Sequence, residues 1–350
     1  MLGMNVFNAN AFQPVEMLAS LRRIDYRPSF LSGLAGLIRP VPVRTEHVFI
    51  EQSSRGFQIV PFSPRGAPPN QVGGDLRNAR GYQTLRFAEA SRITASELSF
   101  VREEGEENMV KAVATEVAAR QNKVVQDMQI TKEYHLLNLV TQAKVIDSDG
   151  TTVKYDWASE FSLSIPAEVD FDLDNATPAS GALRKKCTAV RRSIEIALKM
   201  GRDAAAQGVR IVGLCGDAFW DDLTAHPEVE KTYLNWQAAA DLRNDHGGAW
   251  RTFRYGSLEF VNYRGTDAGA TGASLSINTD KCKFFPVGTG IFQHAMSPGE
   301  TFQDIGRPGQ EWYSMIVRDK DRDMWADVEM YSYPLFVCTH PNALYQARRT

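Results

Sequence analysis

The sequence predicts an α+β fold in which reach matters as much as compactness. Three observations carry this. Residues 46–93 read as a β excursion interrupted by a long stretch rich in Gly, Pro, Asn and Arg. The run from Glu106 to Asp149 holds neither Gly nor Pro and is apolar at helical spacing. Residues 250–350 are rich in strand-like runs. The chain has 350 residues, 43% hydrophobic and 23% charged, a globular composition with enough apolar surface to exclude disorder and a length suggesting about two domains. A formal charge of −3 excludes a strongly basic nucleic-acid binder as a whole. No stretch approaches the ~18 apolar residues of a membrane span. Met1 to Ser20 has no basic start with an apolar centre, so a secretory leader is not expected.

The near-neutral total hides blocks of opposite sign. Residues 1–102 hold 12 arginines, no lysine and 7 acids; 103–182 are acidic, 183–216 carry 8 basic against 2 acidic groups, and 217–350 are acidic again. Alternating blocks suit surfaces that meet oppositely charged surfaces, or solvated faces. Arginine without lysine suits ordered contacts, because guanidinium groups are planar, bidentate and stacking.

In chain order, residues 1–45 read as an arm, apolar without tidy spacing and broken by Pro28, Gly33, Gly36, Pro40 and Pro42. His47–Glu51 and Phe57–Phe62 are strand-like. Residues 63–81 form a loop too long to sit idle in a compact domain, and Tyr82–Phe87 return as a strand. Thr94 and Glu97 have capping-box spacing. A helix over about 106–140 would be ~50 Å long at ~1.5 Å per residue; Glu103, Glu104, Glu106 and Glu107 lie at its start, where the helix dipole favours them. Asp147–Val153 read as a turn and Tyr155–Ile165 as a strand. After an acidic loop, Thr177-Pro178 can open a helix whose apolar positions are Leu183, Cys187, Val190, Ile194 and Ala197, with Arg184, Lys185, Lys186, Arg191 and Arg192 opposite. Val209–Gly216 is a buried-strand candidate, Asp217 a cap, and Pro227 a second helix opening. Strand-like runs then continue to Tyr333–His340.

A search for chemistry finds little. Gly213-Leu-Cys215-Gly-Asp217 resembles a nucleophile elbow with Cys for Ser, but lacks the final Gly and reads as a strand-to-helix turn. Cys187, Cys215, Cys282 and Cys338 form no C-x-x-C and read as reduced core cysteines. The six histidines make no ligand spacing; Asp241, Asp245 and His246 flank a Gly-Gly turn. Asp319–Asp323 lacks the Gly of a calcium loop, and Gly288-Thr-Gly290 lacks the Lys of a phosphate loop. No residue is assigned a catalytic, cofactor-binding or metal role, and no cofactor is expected.

The layout resembles the lambda-type major capsid proteins of tailed bacteriophages, which share the Hong Kong 97-like fold. The resemblance runs along nearly the whole chain. It is carried by GLIRPVPVRTEHVFIEQ from Gly36, IVPFSPRGAPP from Ile59, ITASEL and VREEGEE before the long helix, and VIDSDGTTVKYDW after it. LCGDAFWDDLTAHPEVEKTY, FRYGSLEFVNYRG, and the segments 285–313 and 333–346 complete it. Each motif alone is weak; their order and spacing are specific.

The resemblance implies an N-terminal arm (1–45), an extended β-hairpin or E-loop (46–93), and a P-domain (94–182) with a spine helix at about 106–140. A region that is mainly A-domain (183–330) and a C-terminal strand and tail (331–350) follow. It implies hexamers and pentamers closing into an icosahedral shell around double-stranded DNA, in the virion and, during assembly, the host cytoplasm. Decoration or cement protein, scaffolding protein and portal are possible partners, packaged DNA is contacted non-specifically, and no membrane is involved. Candidate inter-subunit contacts are Arg55, Arg65, Arg77, Arg80, Arg86, Arg191 and Arg192. A cellular cargo-enclosing shell of the same fold is the alternative, with a thiol- or metal-dependent enzyme further off. Some shells of this fold are chained by a Lys–Asn isopeptide whose lysine lies in the E-loop. Residues 46–93 contain no lysine, so that crosslink is expected to be absent.

Overall fold

The computed structural model describes residues 30–53, 77–100, 109–175, 177–199, 208–234, 251–263 and 275–350. A single helical turn, α1 (Phe30–Gly33), leads into strand β1 (Ile38–Pro42). Pro40 and Pro42, read as breakers, lie within this strand. β1 is the edge of a three-stranded sheet, so the amide that proline lacks is not needed on its open side.

Strands β2 (His47–Ser53) and β3 (Arg77–Gln83) pair antiparallel, His47 opposite Gln83 and Ser53 opposite Arg77. The end of the stretch expected as loop is therefore strand. Its small residue Gly81 is covered by the Phe49 ring across the ladder, with only 3.2 Å between that ring and where a Cβ would lie. The return strand is likewise displaced: β4 spans Phe87–Thr94 and pairs with a distant C-terminal strand rather than continuing the hairpin. The expected capping box forms ahead of α2 (Ala95–Phe100): the Glu97 amide donates to Thr94 Oγ1 at 3.4 Å, and the Thr94 amide donates to Glu97 Oε2 at 3.3 Å.

Helix α3 spans Met109–Gln142, 34 residues or ~51 Å at ~1.5 Å per residue. Its middle buries one stripe, Val117, Val124 and Met128, while residues 133–140 are buried on every side. The helix thus passes from a one-sided stripe in its middle to full burial toward its end. Hairpin β5 (Lys144–Ile146) and β6 (Val153–Asp156) follows, its turn closed by Asp149, which accepts from the Thr151 and Thr152 amides.

The expected strand over 155–165 stops at Asp156. That side chain accepts from the Ala158 amide at 3.1 Å and the Ser159 amide at 3.4 Å, capping a one-turn helix, α4 (Trp157–Glu160). The turn sends Trp157 inward.

After the short β7 (Val169–Asp170), helix α5 runs from Ala182 to Ala197. It opens at Gly181 rather than at Thr177-Pro178. Its first free amides, of Leu183 and Arg184, donate to the Glu228 carboxylate at 3.0 and 3.3 Å, a cap supplied from 44–45 residues away. β8 (Arg210–Cys215) leads into α6 (Asp217–Ala225), where Asp217 is the first helical residue and Gly216 the cap, and then α7 (Pro227–Leu234). β9 (Arg251–Tyr255) and β10 (Leu258–Asn262) form a hairpin across Gly256-Ser257, both at positive φ.

β11 (Lys281–Val287), β12 (Phe292–Met296), β13 (Tyr313–Arg318), β14 (Trp325–Ser332), β15 (Pro334–Cys338) and β16 (Tyr345–Arg348) complete the chain. The main sheet has the order β7-β16-β11-β8-β10-β9; smaller sheets are β1-β12-β15 and β13-β14-β4. Pro286 sits in β11 beyond the end of β16, which pairs only with residues 281–284, so its missing amide faces no ladder there.

Val124, Met128 and Met330 form a small cluster between α3 and β14, and the main core runs from Leu31 to Ala347. It contains a four-ring stack. His135 lies between Phe87 and Phe336 at centroid distances of 4.9 and 5.7 Å, and His294 stacks on the other side of the group, 4.6 Å from Phe336. Burial pushes both imidazoles down to about 4, so both are neutral in the fold. The unfolded chain binds these protons near pH 6.5 and the folded chain near 4. The stability they allow is therefore complete above ~6.5 and declines as pH falls from there toward 4, by on the order of 2 kcal/mol each by pH 4.5. Thermal melts across pH should show a steeper acid limb for the native chain than for His294→Leu; equal limbs would refute this.

Candidate assembly interface

The paired strands β2 and β3 are fastened to the body through their inner face. Tyr82 is buried edge-on to Tyr155 at 5.8 Å and to Trp157 at 5.1 Å, and its hydroxyl donates to Glu160 Oε2 at 3.1 Å. Arg80 Nη1 donates to the Glu160 carbonyl at 2.7 Å. The Tyr155 hydroxyl donates to the Gln83 carbonyl at 2.8 Å. Strand alternation then turns His47, Phe49 and Glu51 outward, leaving Phe49 71% exposed.

A second outward apolar group lies on the segment between β12 and β13. The Thr301 hydroxyl donates to Asp304 Oδ2, the Arg307 amide to the Asp304 carbonyl at 3.1 Å, and the Gly309 amide to the Val43 carbonyl at 2.8 Å. A Cβ at Gly309 would fall 2.0 Å from the Met296 carbonyl oxygen, so only glycine permits this approach. Arg86 ties the same loop to the sheet, 3.1 Å from Glu300 and over the Tyr331 ring at 5.0 Å. The loop so held presents Phe302 at 96% and Ile305 at 72% exposure. Sequence reasoning passed over these two; the available signal was a pair of large apolar residues inside a loop bounded by Pro298-Gly299 and Pro308-Gly309.

The third surface is on α5. Leu183, Cys187, Val190 and Ile194 are buried, and Cys187 packs so closely on the β9–β10 turn that a Cβ at Gly256 would lie 2.5 Å from its own Cβ. The opposite face carries exposed Arg184, Lys185 and Arg192, with Ile196 68% exposed among them. Tyr255 donates to the capping carboxylate of Glu228 at 2.7 Å, and its hydroxyl is pushed up to about 12 by burial and by that carboxylate.

The structure places the seven expected arginines differently. Arg55 and Arg65 lie outside the described residues, and Arg77 contributes its backbone to β3. Arg80 and Arg86 hold partners within the chain, as does Arg191, whose Nε donates to Glu195 at 2.8 Å and Nη1 to the Ser257 carbonyl at 3.2 Å. Arg192 is exposed. Among the described residues, Arg80, Arg86, Arg191 and Arg192 are not gathered at one site.

The remaining chemical candidates that lie among the described residues have identifiable local surroundings. Cys215 is fully buried at the end of β8. The glycines beside it serve close approach: a Cβ at Gly216 would lie 2.3 Å from the Asn278 carbonyl oxygen, and one at Gly213 would lie 2.6 Å from the Phe284 ring. His226 is occupied in accepting the Glu228 amide at 3.2 Å. Asp319 closes its own turn by accepting from the Asp321 and Arg322 amides. Asp241, Asp245 and His246 lie outside the described residues. Among the described residues no group of three or more His, Cys, Asp or Glu is arranged for a metal ion. No described helix is long and apolar enough to cross a membrane.

Solved structures carry the same architecture. The crystal structure of an Escherichia coli CFT073 prophage protein assigned as a capsid protein superposes over 98% of this chain and 100% of its own, with a TM-score of 0.60 at 14% identity. The capsid asymmetric unit of cyanophage A-1(L) does so over 93% and 95%, with a TM-score of 0.50 at 12% identity. These likenesses show the fold, which is of the Hong Kong 97-like type. The match in sequence is more particular. The profile of the phage major capsid protein E family spans residues 13–349, and the chain belongs to that family. The major capsid protein of Salmonella phage Felix O1 is 25% identical over 361 aligned residues, 95% of each chain.

Proposed function

We propose that the chain is the major capsid protein of a phage head, assembling as hexamers and pentamers into an icosahedral shell around packaged double-stranded DNA. The observation that carries this reading, beyond family membership, is the distribution of uncovered apolar side chains. Phe49, Ile196, and the pair Phe302 and Ile305 sit on three separate elements of one chain. A subunit that closes a ring and then a shell needs several heterologous contacts at once. On this reading residues 1–45 are the arm, 46–93 the E-loop, 94–182 the P-domain, 183–330 mainly the A-domain, and 331–350 the C-terminal strand and tail. Arg55, Arg65, Arg77, Arg80, Arg86, Arg191 and Arg192 belong to inter-subunit contacts, some of them by bracing elements that carry the contact. Scaffolding, portal and decoration proteins are further partners, and assembly takes place in the host cytoplasm.

Electron microscopy of the expressed full chain tests the reading. Closed shells, tubes or capsomers are expected, and boiled particles should run as one band near 39.0 kDa, because the E-loop has no lysine to crosslink. A monodisperse monomer would overturn the function, and a ladder of covalent multimers the non-covalent shell. Arg192→Glu separates the partners of α5. If that face meets another subunit, the variant folds but its yield of empty shells falls at least tenfold; a normal yield would assign the face elsewhere, packaged DNA included.

A further inference from the structure

The core of the main sheet holds a pair of thiols in a geometry that packing alone does not require. Cys215 on β8 and Cys282 on β11 are register partners in an antiparallel ladder. The Gly216 amide donates to the Lys281 carbonyl at 3.0 Å, the bond that flanks the pair rather than joining it. The two cysteines therefore occupy a non-hydrogen-bonded position, where Cα atoms of opposed residues lie about 4.5 Å apart. That is within the ~4.4–6.8 Å range that a disulfide spans, so closing one needs no strand movement. The side chains already point at each other: Sγ to Sγ is 3.3 Å, with the Cys215 thiol also within reach of the Gly213 carbonyl at 3.8 Å. Gly213 makes the room, since a Cβ there would stand 2.9 Å from Cys282 Sγ. Both residues are fully buried.

We propose that Cys215 and Cys282 are a modification site, closing to a cross-strand disulfide when the folded chain meets hydrogen peroxide and reopening in a thiol or phosphine reductant. The step is balanced in two stages. One thiol attacks peroxide; the O–O bond breaks, the sulfur becomes a sulfenic acid, and water leaves. The second thiol then attacks that sulfenic sulfur, the S–S bond forms, and the hydroxyl leaves as a second water. Both sulfurs are oxidised and one peroxide is reduced. Peroxide is small enough to enter where bulky thiol reagents cannot. Burial, with Cys215 beside it, holds the Cys282 thiol well above its ordinary range, which slows its reaction with oxidants and makes millimolar peroxide the fitting probe. The disulfide would tie together two central strands and close a loop of 67 residues, restricting the unfolded chain.

The test uses the full chain, reduced and then treated with millimolar hydrogen peroxide, denatured in iodoacetamide and digested. Mass spectrometry should find the Cys215 and Cys282 peptides joined, lighter by two hydrogens, with Cys187 and Cys338 alkylated. Reductant should release the pair, and the oxidised chain should melt several degrees above the reduced one. Cys215→Ser should lose both the joined peptide and the shift. The proposal is overturned if both cysteines are alkylated after peroxide has fully oxidised free glutathione in the same tube. It is overturned equally by sulfinic acid at either position without a joined peptide, or by Cys187 as the partner. None of these outcomes depends on shell formation, so the proposal and the assembly reading can fail separately.

Discussion

Trp157→Ala is expected to lower stability by about 3–5 kcal/mol and to abolish shells at 37 °C. Trp157 has no exposed surface. It stacks on Tyr155 at 5.5 Å and on Phe161 at 5.7 Å, and it takes Tyr82 of the hairpin edge-on. Its indole donates to the Phe336 carbonyl at 2.9 Å, joining the hairpin base to β15. Truncation removes the largest ring of this cluster and leaves a buried carbonyl without its donor, a further ~1 kcal/mol. The effect should be spatially uneven, because the hairpin loses its inner support while the main sheet does not. Limited proteolysis should cut the variant first at the β2–β3 hairpin. Trp157→Phe keeps most of the apolar area and should retain the hairpin at a cost of about 1–2 kcal/mol. Native-like melting of the alanine variant would remove Trp157 from this role.

Glu133→Gln is expected to cost about 2–4 kcal/mol although it changes no shape. Glu133 lies on the buried end of α3 and is 4% exposed. Its Oε1 accepts from the Leu31 amide at 2.8 Å and the Tyr263 hydroxyl at 3.3 Å. Its Oε2 accepts from the Ser32 amide at 2.9 Å and the Ser32 hydroxyl at 2.8 Å. A carboxylate can accept at both oxygens; a carboxamide must turn an NH2 toward one of these donor pairs. The loss should appear at α1 before it appears globally. Hydrogen exchange at the Leu31 and Ser32 amides should accelerate at least tenfold more than exchange in β8, and uniform protection would show that the carboxylate is not the clasp. Tyr263, whose hydroxyl burial and Glu133 together push well up, should stay un-ionised throughout.

How much of this was legible beforehand follows from the range over which each signal acts. The long helix was legible because it is a local property: no Gly or Pro from 106 to 149 and a periodic apolar stripe. The capping box at Thr94 is likewise written in adjacent residues. The start of α5 was not, because its cap is Glu228, far along the chain. Trp157 was misassigned to a strand because Asp156 competes with the ladder through its side chain, a choice decided by a few hydrogen bonds. β1 was hidden by prolines that only an edge position tolerates. The arginines were legible as an ordered-contact chemistry, but not which of them would be satisfied inside the chain. Phe302 and Ile305 left one local signal, two large apolar residues between Pro-Gly pairs, but their exposure is a property of the loop that lifts them.

The sheet order has a consequence for when the subunit comes into being. β4 is completed by β14, with Thr94 opposite Trp325; β1 by β12, with Ile38 opposite Phe292; and β7 by β16, with Val169 opposite Ala347. Each early strand waits for one encoded far later, and the last of these ends at Arg348. A growing chain on the ribosome therefore carries β1, β4 and β7 unpaired until their distant partners have been made, while β2–β3 and β5–β6 can pair early. Closing such long loops is slow and cooperative. The sheets around these surfaces are thus completed only once the distant strands are made, and a chain lacking β16 has no partner for β7.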